Sequence, residues 1–257
     1  MDYRIDELAD GAVFTLTRPQ KLNAGTLEIW NGLEACMNAL EARGARLLIL
    51  TGEGDKAFCA GTDLAESAAM TRDASFAKGD RVRALLVRLS RSKLISVAAI
   101  NGLAYGGGLE IAMACTFRIA APHVRLSLPE VKLGVLPAYG GTQFLPALVG
   151  RARALDLMLS GRPIGAEEGL AWGLVNKIAD AATPLVDQAL DYARTITQFS
   201  PVAIDGIRHC VEASGSTVEE AGLKLESQEV RRVGVSDDAR EGVAAFLEKR
   251  KAVFSGR

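Results

Sequence analysis

Metal-binding chemistry has little to work with in this chain. Only two histidines, His123 and His209, and four cysteines, Cys36, Cys59, Cys115 and Cys210, occur in 257 residues. No cysteine pair shows the C-x-x-C spacing of a zinc or redox site. The expectation is no metal and reduced, mostly buried thiols. A surplus of one charge is missing too: 30 Lys and Arg face 31 Asp and Glu, for a formal net charge of -1. Without a broad basic field, nucleic acid and anionic membrane surfaces are poor partners. The stretch Met1 to Glu7 is acidic and has no apolar signal core, and no apolar run reaches the roughly 20 residues that span a bilayer. These gaps lead to the expectation of a soluble, cytoplasmic protein acting on a small ligand. What the chain does have is core-forming material. At 49% hydrophobic and 24% charged, it can bury a large interior as one domain or as a core with an appendage.

The apolar pattern predicts alternating strands and helices. Ala12 to Thr17 is apolar and β-branched up to Arg18-Pro19, which reads as a strand halted by proline. Thr26 is a suitable cap for a helix to about Arg43, with Leu27, Trp30, Leu33, Met37 and Leu40 recurring at helical spacing. Arg46 to Thr51 and Ile95 to Ile100 are short continuous apolar runs, the pattern of strands covered on both faces. Ala74 to Arg91 between them is an amphipathic helix, with Val82, Leu85, Leu86 and Leu89 on one side. Beyond Gly150 the periodic segments, at 152–159, 184–199, 202–213, 218–230 and 238–251, all read as helices; Leu174 to Ile178 is the one strand signal there. The organisation expected is an α/β core over residues 1–195 and a helical C-terminal part over 196–257.

One tempting motif fails on context. Gly52-Glu53-Gly54-Asp55-Lys56-Ala57 fits G-x-G-x-x-A after a strand, but Phe58-Cys59-Ala60-Gly61 interrupts any helix that should follow. A nicotinamide cofactor is therefore not expected. In Lys56 to Leu64, the small residues Ala60 and Gly61 permit close approach of backbone to a ligand, and Asp63 suits the start of a helix near Leu64. Exposed amides at that turn could hold an anion, or Gly61 could simply make a tight turn.

Gly106-Gly107-Gly108 is more specific, because three glycines at a helix entrance oppose helix formation. They expose backbone N–H groups at the positive end of the helix dipole, where an oxyanion could form, although tight helix-to-strand packing competes as an explanation for any one of them. Glu110 follows among Leu109, Ile111, Ala112, Met113 and Ala114, so its carboxylate falls on a helix apolar nearly all round. Burial would raise its pKa toward the range useful for proton transfer. Glu130, in Leu128-Pro129-Glu130-Val131-Lys132-Leu133-Gly134, follows a strand-like Val124 to Leu128 and reads alone as an ordinary surface charge. Paired with Glu110 near one water, it could share the removal and delivery of a proton, as adding water to an activated double bond requires.

Asn23-Ala24, Lys56 to Leu64, Asn101 to Glu110, Pro129 to Gly134, Gly140-Gly141-Thr142-Gln143 and Glu241 to Arg250 together resemble the enoyl-CoA hydratase, or crotonase, family. The resemblance spans essentially the whole chain, and the order and spacing of the motifs are more specific than any one of them. It implies a crotonase-like α/β spiral of repeated ββα units with a C-terminal helical region that makes trimers, often stacked into hexamers. It also implies an acyl-CoA thioester substrate, with coenzyme A as part of the substrate and no separate cofactor.

By that match the backbone N–H groups of Thr62 and Gly107 form the oxyanion hole, Glu110 helps activate water for attack at C3, and Glu130 holds the water and passes a proton to C2. The CoA would run near Lys56, Ala60 and the Thr62-Asp63-Leu64-Ala65 turn, with Phe246 and Lys249 reaching its nucleotide end across a subunit contact. The implied reaction is reversible syn hydration of a trans-2-enoyl-CoA in fatty-acid or related acyl-CoA catabolism.

The chain departs from the family pattern at two positions. Thr62 stands where many relatives carry Ala, which a backbone donor tolerates. Tyr139 brings a phenol to where the acyl chain should run; it could reshape that pocket, add a polar contact, or pack into the core. Two alternatives accompany the hydratase reading: an isomerase or other crotonase-type reaction on a specialised acyl-CoA, and a non-catalytic scaffold or RNA-associated relative. The intact acid pair and the near-neutral charge count against the second.

Overall fold

A computed structural model describes residues 1–212, 232 and 236–257. By its contacts the chain divides into two units, Met1–Ala193 and Arg194–Arg257.

In the first unit, the expected buried runs become parallel strands. β2 (Gly11–Leu16), β3 (Leu47–Gly52) and β5 (Ile95–Ile100) are buried at every position, as strands covered on both faces must be. With β1 (Tyr3–Glu7), β7 (Phe117–Ala120) and β9 (Lys177–Ile178) they form a six-stranded sheet in the order β1-β2-β3-β5-β7-β9, parallel except for the antiparallel edge strand β1. A second, three-stranded parallel sheet joins β4 (Ala57–Cys59), β6 (Leu103–Tyr105) and β8 (Leu126–Ser127).

The two sheets are filled in alternation. β3, β5 and β7 enter the large sheet; each is followed by a short strand, β4, β6 or β8, that enters the small one. Helical structure then returns the chain: α2 (Leu64–Ala68) and α3 (Arg72–Arg91) after β4, α4 (Gly107–Ala114) after β6, and a 3-10 turn (Glu130–Leu133) with α5 (Gly141–Val149) after β8. This is the expected ββα repetition. Because the repeats are in parallel register, the ends of β4, β6 and β8 lie side by side, which sets the three loops that follow them next to one another.

The local signals explain most helix boundaries. α1 (Leu27–Ala42) is capped by Thr26, whose Oγ1 accepts from Ile29 N, and it buries Ile29, Trp30, Leu33, Cys36, Met37 and Leu40. Asp63 caps α2 by accepting from Ala65 N and Glu66 N, both at 3.0 Å. Glu66 in turn accepts from Leu27 N at the start of α1 and pairs with the buried Lys78 on α3, so three helices share one carboxylate. Asn23 is fully buried: its Nδ2 donates to Glu53 O and Ala57 O, tying the β2–α1 loop to the turn between β3 and β4.

Several sequence expectations need correction. The strand expected at 174–178 covers only Lys177–Ile178, because Val175 N and Asn176 N turn to Gly169 O and Arg118 O. The strand-like stretch Val124 to Leu128 shortens to Leu126–Ser127. β1, β4, β6, β7, α5 and α7 (Ala166–Ala171) were not expected. α6 (Arg151–Ser160), α8 (Leu185–Thr197), α9 (Pro201–Glu212) and α10 (Asp237–Leu247) occur where helices were expected, although α10 ends short of residue 251. The helix expected at 218–230 and the final residue of that at 202–213 lie outside the described residues.

Within the second unit, the buried Asp238 on α10 accepts from Ser200 Oγ at 2.7 Å and from the Ser255 and Gly256 amides, which fastens the C-terminal tail. No helix among the described residues is long and apolar enough to cross a membrane.

The tightest contact between repeats is at Gly108, where a Cβ would fall 2.0 Å from the Cys59 carbonyl oxygen. Gly108→Ala is expected to destabilise the protein by about 3 kcal/mol through overpacking, lowering the melting temperature by roughly 6–12 °C. Thermal denaturation followed by circular dichroism checks this; an unshifted melting curve would refute the packing described.

Candidate active site

The three loops that follow the small sheet converge on the N-terminus of α4. The glycines there serve different ends. Gly106 adopts φ +53°, which favours glycine, and a Cβ on it would lie 2.8 Å from Glu130 Oε1. A Cβ on Gly107 would lie 2.9 Å from Cε2 of Tyr139, and Gly108 meets the Cys59 carbonyl. Helix-to-strand packing therefore accounts for Gly108, while Gly106 and Gly107 leave space for a carboxylate and a phenol.

Glu110, one turn into α4, is buried. Its own N–H donates to Gly106 O, and its Oε1 accepts from two backbone amides, Tyr139 N and Gly141 N, both at 2.7 Å. Burial pushes its pKa up to about 7, against the pull of those two amides, with a smaller upward push from the Glu130 charge. Burial also raises the pKa of Glu130, and its Oε2 is buried with no hydrogen-bonding partner among the described residues. Gly106 is the common neighbour: its carbonyl receives the Glu110 amide and its Cα faces the Glu130 carboxylate. The two acids thus belong to one environment. A carboxyl group with a pKa near 7 can give or take a proton at neutral pH.

The two candidate amides are also neighbours. A Cβ built on Gly61 would lie 3.4 Å from Gly107 N, and one built on Gly107 would lie 3.6 Å from Thr62 N. The parallel bridge between Gly25 and Thr62 holds the first turn, through Gly25 N to Gly61 O at 2.7 Å and Asp63 N to Gly25 O at 3.0 Å. Among the described residues, neither Thr62 N–H nor Gly107 N–H finds an acceptor. Two adjacent unengaged amides beside a pair of protonatable carboxyls form the basic equipment for polarising a carbonyl while moving a proton at a nearby carbon.

The other expected site residues have settings of their own. Asp63 is a structural residue: its carboxylate caps α2 and pairs with Arg18 at 2.9 Å, and the Glu66 amide, then Arg18, hold it below the usual carboxylate range. It engages the Ala65 and Glu66 amides, while the Thr62 amide of the same turn stays open. Leu64 is exposed, Ala60 N donates to Leu22 O, and Lys56 is exposed with its carbonyl bound to Leu103 N. Lys249 follows α10 with an exposed side chain, and the Phe246 side chain lies outside the described residues. Tyr139 is buried, its hydroxyl is 2.6 Å from Thr62 Oγ1, and its ring meets Trp30 edge-on.

Sequence reasoning did not find the Tyr139 and Gly141 amides that hold Glu110, nor the place of Trp30 beside the site. Backbone donors carry no residue-type signal, and Trp30 fits the apolar helix pattern without distinction.

The chain as a whole has close counterparts among known proteins. The model of the enoyl-CoA hydratase/isomerase family matches residues 9–257. A Bacillus subtilis protein named "Probable enoyl-CoA hydratase" is 38% identical over 95% of this chain and 95% of its own length. The short-chain-enoyl-CoA hydratase of Clostridium acetobutylicum is 35% identical, covering 93% and 92%. The crystal structure of enoyl-CoA hydratase from Bacillus anthracis superposes with a TM-score of 0.94 at 33% identity, covering 100% of both chains. The chain belongs to the enoyl-CoA hydratase/isomerase family and has its crotonase fold.

The raised pKa of Glu110 has a consequence for stability. A carboxyl group that binds its proton more tightly when folded contributes stability in full below its unfolded pKa, and loses it as pH rises through the folded value near 7. Glu110→Gln keeps an oxygen for the two amides and removes the titration. It is expected to melt several degrees above the wild type at pH 8, with the difference closing toward pH 4.5. Melting curves across that range test the assignment, and a difference independent of pH would count against it.

Proposed function

We propose that the protein is an enoyl-CoA hydratase, adding water reversibly and syn across the C2–C3 bond of a trans-2-enoyl-CoA. The observation that carries this reading is a pair of protonatable carboxyls, Glu110 raised in part by the charge of Glu130, next to the unengaged amides of Thr62 and Gly107. In this reading the thioester oxygen lies between those amides. Charge builds on it as water adds at C3, and two preset N–H donors stabilise that charge without a side-chain acid. Glu110, held by the Tyr139 and Gly141 amides, draws a proton from the water. Glu130, whose Oε2 lacks a protein partner, orients the water and delivers a proton to C2. One oxygen and two hydrogens enter the substrate, leaving Glu110 protonated and Glu130 ionised; a proton passed from Glu110 back to Glu130 restores the starting state.

The family relationship supports an acyl-CoA substrate, and relatives named as hydratases support the reaction. In keeping with the family pattern, the CoA portion is proposed to pass Lys56, Ala60 and the turn from Thr62 to Ala65. The C-terminal unit is proposed to serve assembly into a trimer or a dimer of trimers, placing Phe246 and Lys249 of one copy near the nucleotide of another. A cytoplasmic role in acyl-CoA breakdown belongs to the same proposal.

Loss of the conjugated thioester absorbance of crotonyl-CoA measures the reaction. Glu110→Gln and Glu130→Gln are each expected to lower kcat by about two to four orders of magnitude. Wild-type kcat/KM should rise with pH through about 7 as Glu110 ionises. Wild-type turnover in either variant would remove the role given to that acid. Turnover confined to 3-enoyl-CoA would instead identify a double-bond isomerase.

A further inference from the structure

One corner of the site is left over by the roles given to the acids and amides. The indole of Trp30 lies against Gly25, where a Cβ would come within 2.4 Å of its Cζ2 and 3.0 Å of its Cε2. Gly25 is bridged to Thr62, so the indole underlies the turn that carries one amide donor. The same indole meets the Tyr139 phenol edge-on, with centroids 5.9 Å apart, and that phenol covers Gly107, which carries the other donor. Trp30, Tyr139 and Thr62 therefore wall the amide pair on one side.

The polar groups in that wall are incompletely matched. Trp30 Nε1–H is buried and has no acceptor among the described residues. The Thr62 and Tyr139 hydroxyls bond to each other at 2.6 Å, which engages one of their two protons and leaves the second. Burial raises the Tyr139 pKa, so the phenol keeps its proton at neutral pH. Buried polar groups in folded proteins are nearly always paired, and an orphaned donor calls for an explanation. An indole N–H and a hydroxyl proton, both lacking an acceptor among the described residues and both carried by side chains of the wall beside the amide pair, are what a bound oxygen atom would satisfy.

We propose that Trp30, Thr62 and Tyr139 form a polar acyl subsite, which selects acyl-CoA substrates bearing a neutral oxygen, a hydroxyl or a keto group, within a few carbons of the thioester. A plain alkyl chain would leave the donors unpaired. An acyl carboxylate is disfavoured, because Glu110 and Glu130 flank the centre and Arg18, the cation bound to Asp63 next to Thr62, is already paired with both Asp63 and Asp2. The proposal rests on the acyl-CoA reading of the same amides and narrows its substrate class.

Calorimetric titration with 4-oxopentanoyl-CoA and 4-methylpentanoyl-CoA tests it. The two chains have the same shape, one carries an oxygen where the other carries a methyl, and neither has a double bond to hydrate. The wild type is expected to bind the keto compound about tenfold more tightly, the scale of one satisfied hydrogen bond to a buried donor. Tyr139→Phe, Thr62→Val and Trp30→Phe remove the donors one at a time with little change in shape. At least one of them should reduce the ratio to about threefold or less.

Equal binding of the two compounds by the wild type would overturn the subsite, as would a tenfold ratio kept in all three variants. Discrimination with no hydration of crotonyl-CoA or of an oxygen-bearing 2-enoyl-CoA would remove hydration and leave the subsite standing. Turnover without discrimination would do the reverse.

Discussion

The site depends on a buried carboxylate that no cation among the described residues neutralises. Glu110 sits on a helix in which every residue is buried, and its oxygen takes two backbone amides from the segment that leads into α5. Amides satisfy the carboxylate's hydrogen bonding but lend less charge stabilisation than an arginine would, so desolvation prevails and the pKa rises to about 7. An ion pair in that position would have fixed the group as an anion. The same two bonds fasten the 137–141 segment to α4, so the geometry of the base and the path of that loop are one constraint.

The second sheet gives this constraint its setting. Its strands are only two or three residues long, and among the described residues they pair only with one another. Their value is positional: parallel pairing aligns their ends, and the loops that follow bring the Thr62 amide, the Gly107 amide and Glu130 to one place. Close approach between these loops is possible because glycines face the Cys59 carbonyl, the Glu130 carboxylate and the Tyr139 ring. In this chain a triple glycine is thus both a packing device and a means of admitting functional groups.

The legible parts of the fold were those with length and period. β2, β3, β5, α1 and α3 announce themselves through apolar runs or helical spacing, because burial of a whole face demands a regular pattern. β4, β6 and β7 do not, since three or four residues are too few to show a period; they are strands because neighbouring strands offer hydrogen bonds in register. The centre was legible in a similar proportion. Glu110 stood out as a charge in an apolar helix and the glycines as an anomaly at its entrance. Glu130 resembled a surface residue, because its environment is built by Gly106, distant in sequence. Asp63 lay within the right motif, and its carboxylate turned out to be a helix cap paired with Arg18.

The sequence by itself determined the alternating order of strands and helices in the first unit, the burial of Glu110 and the family to which the chain belongs, because periodicity, composition and motif order are properties of a linear string. Only the tertiary structure decided that Glu110 and Glu130 share Gly106 as a neighbour, that the Tyr139 and Gly141 amides hold the base, and that Tyr139 reaches Thr62. Those relations pass through backbone groups, which every residue carries alike, and through contacts between loops far apart in the chain. Their distances are fixed by strand register and close packing, and so they exist only once the chain has folded.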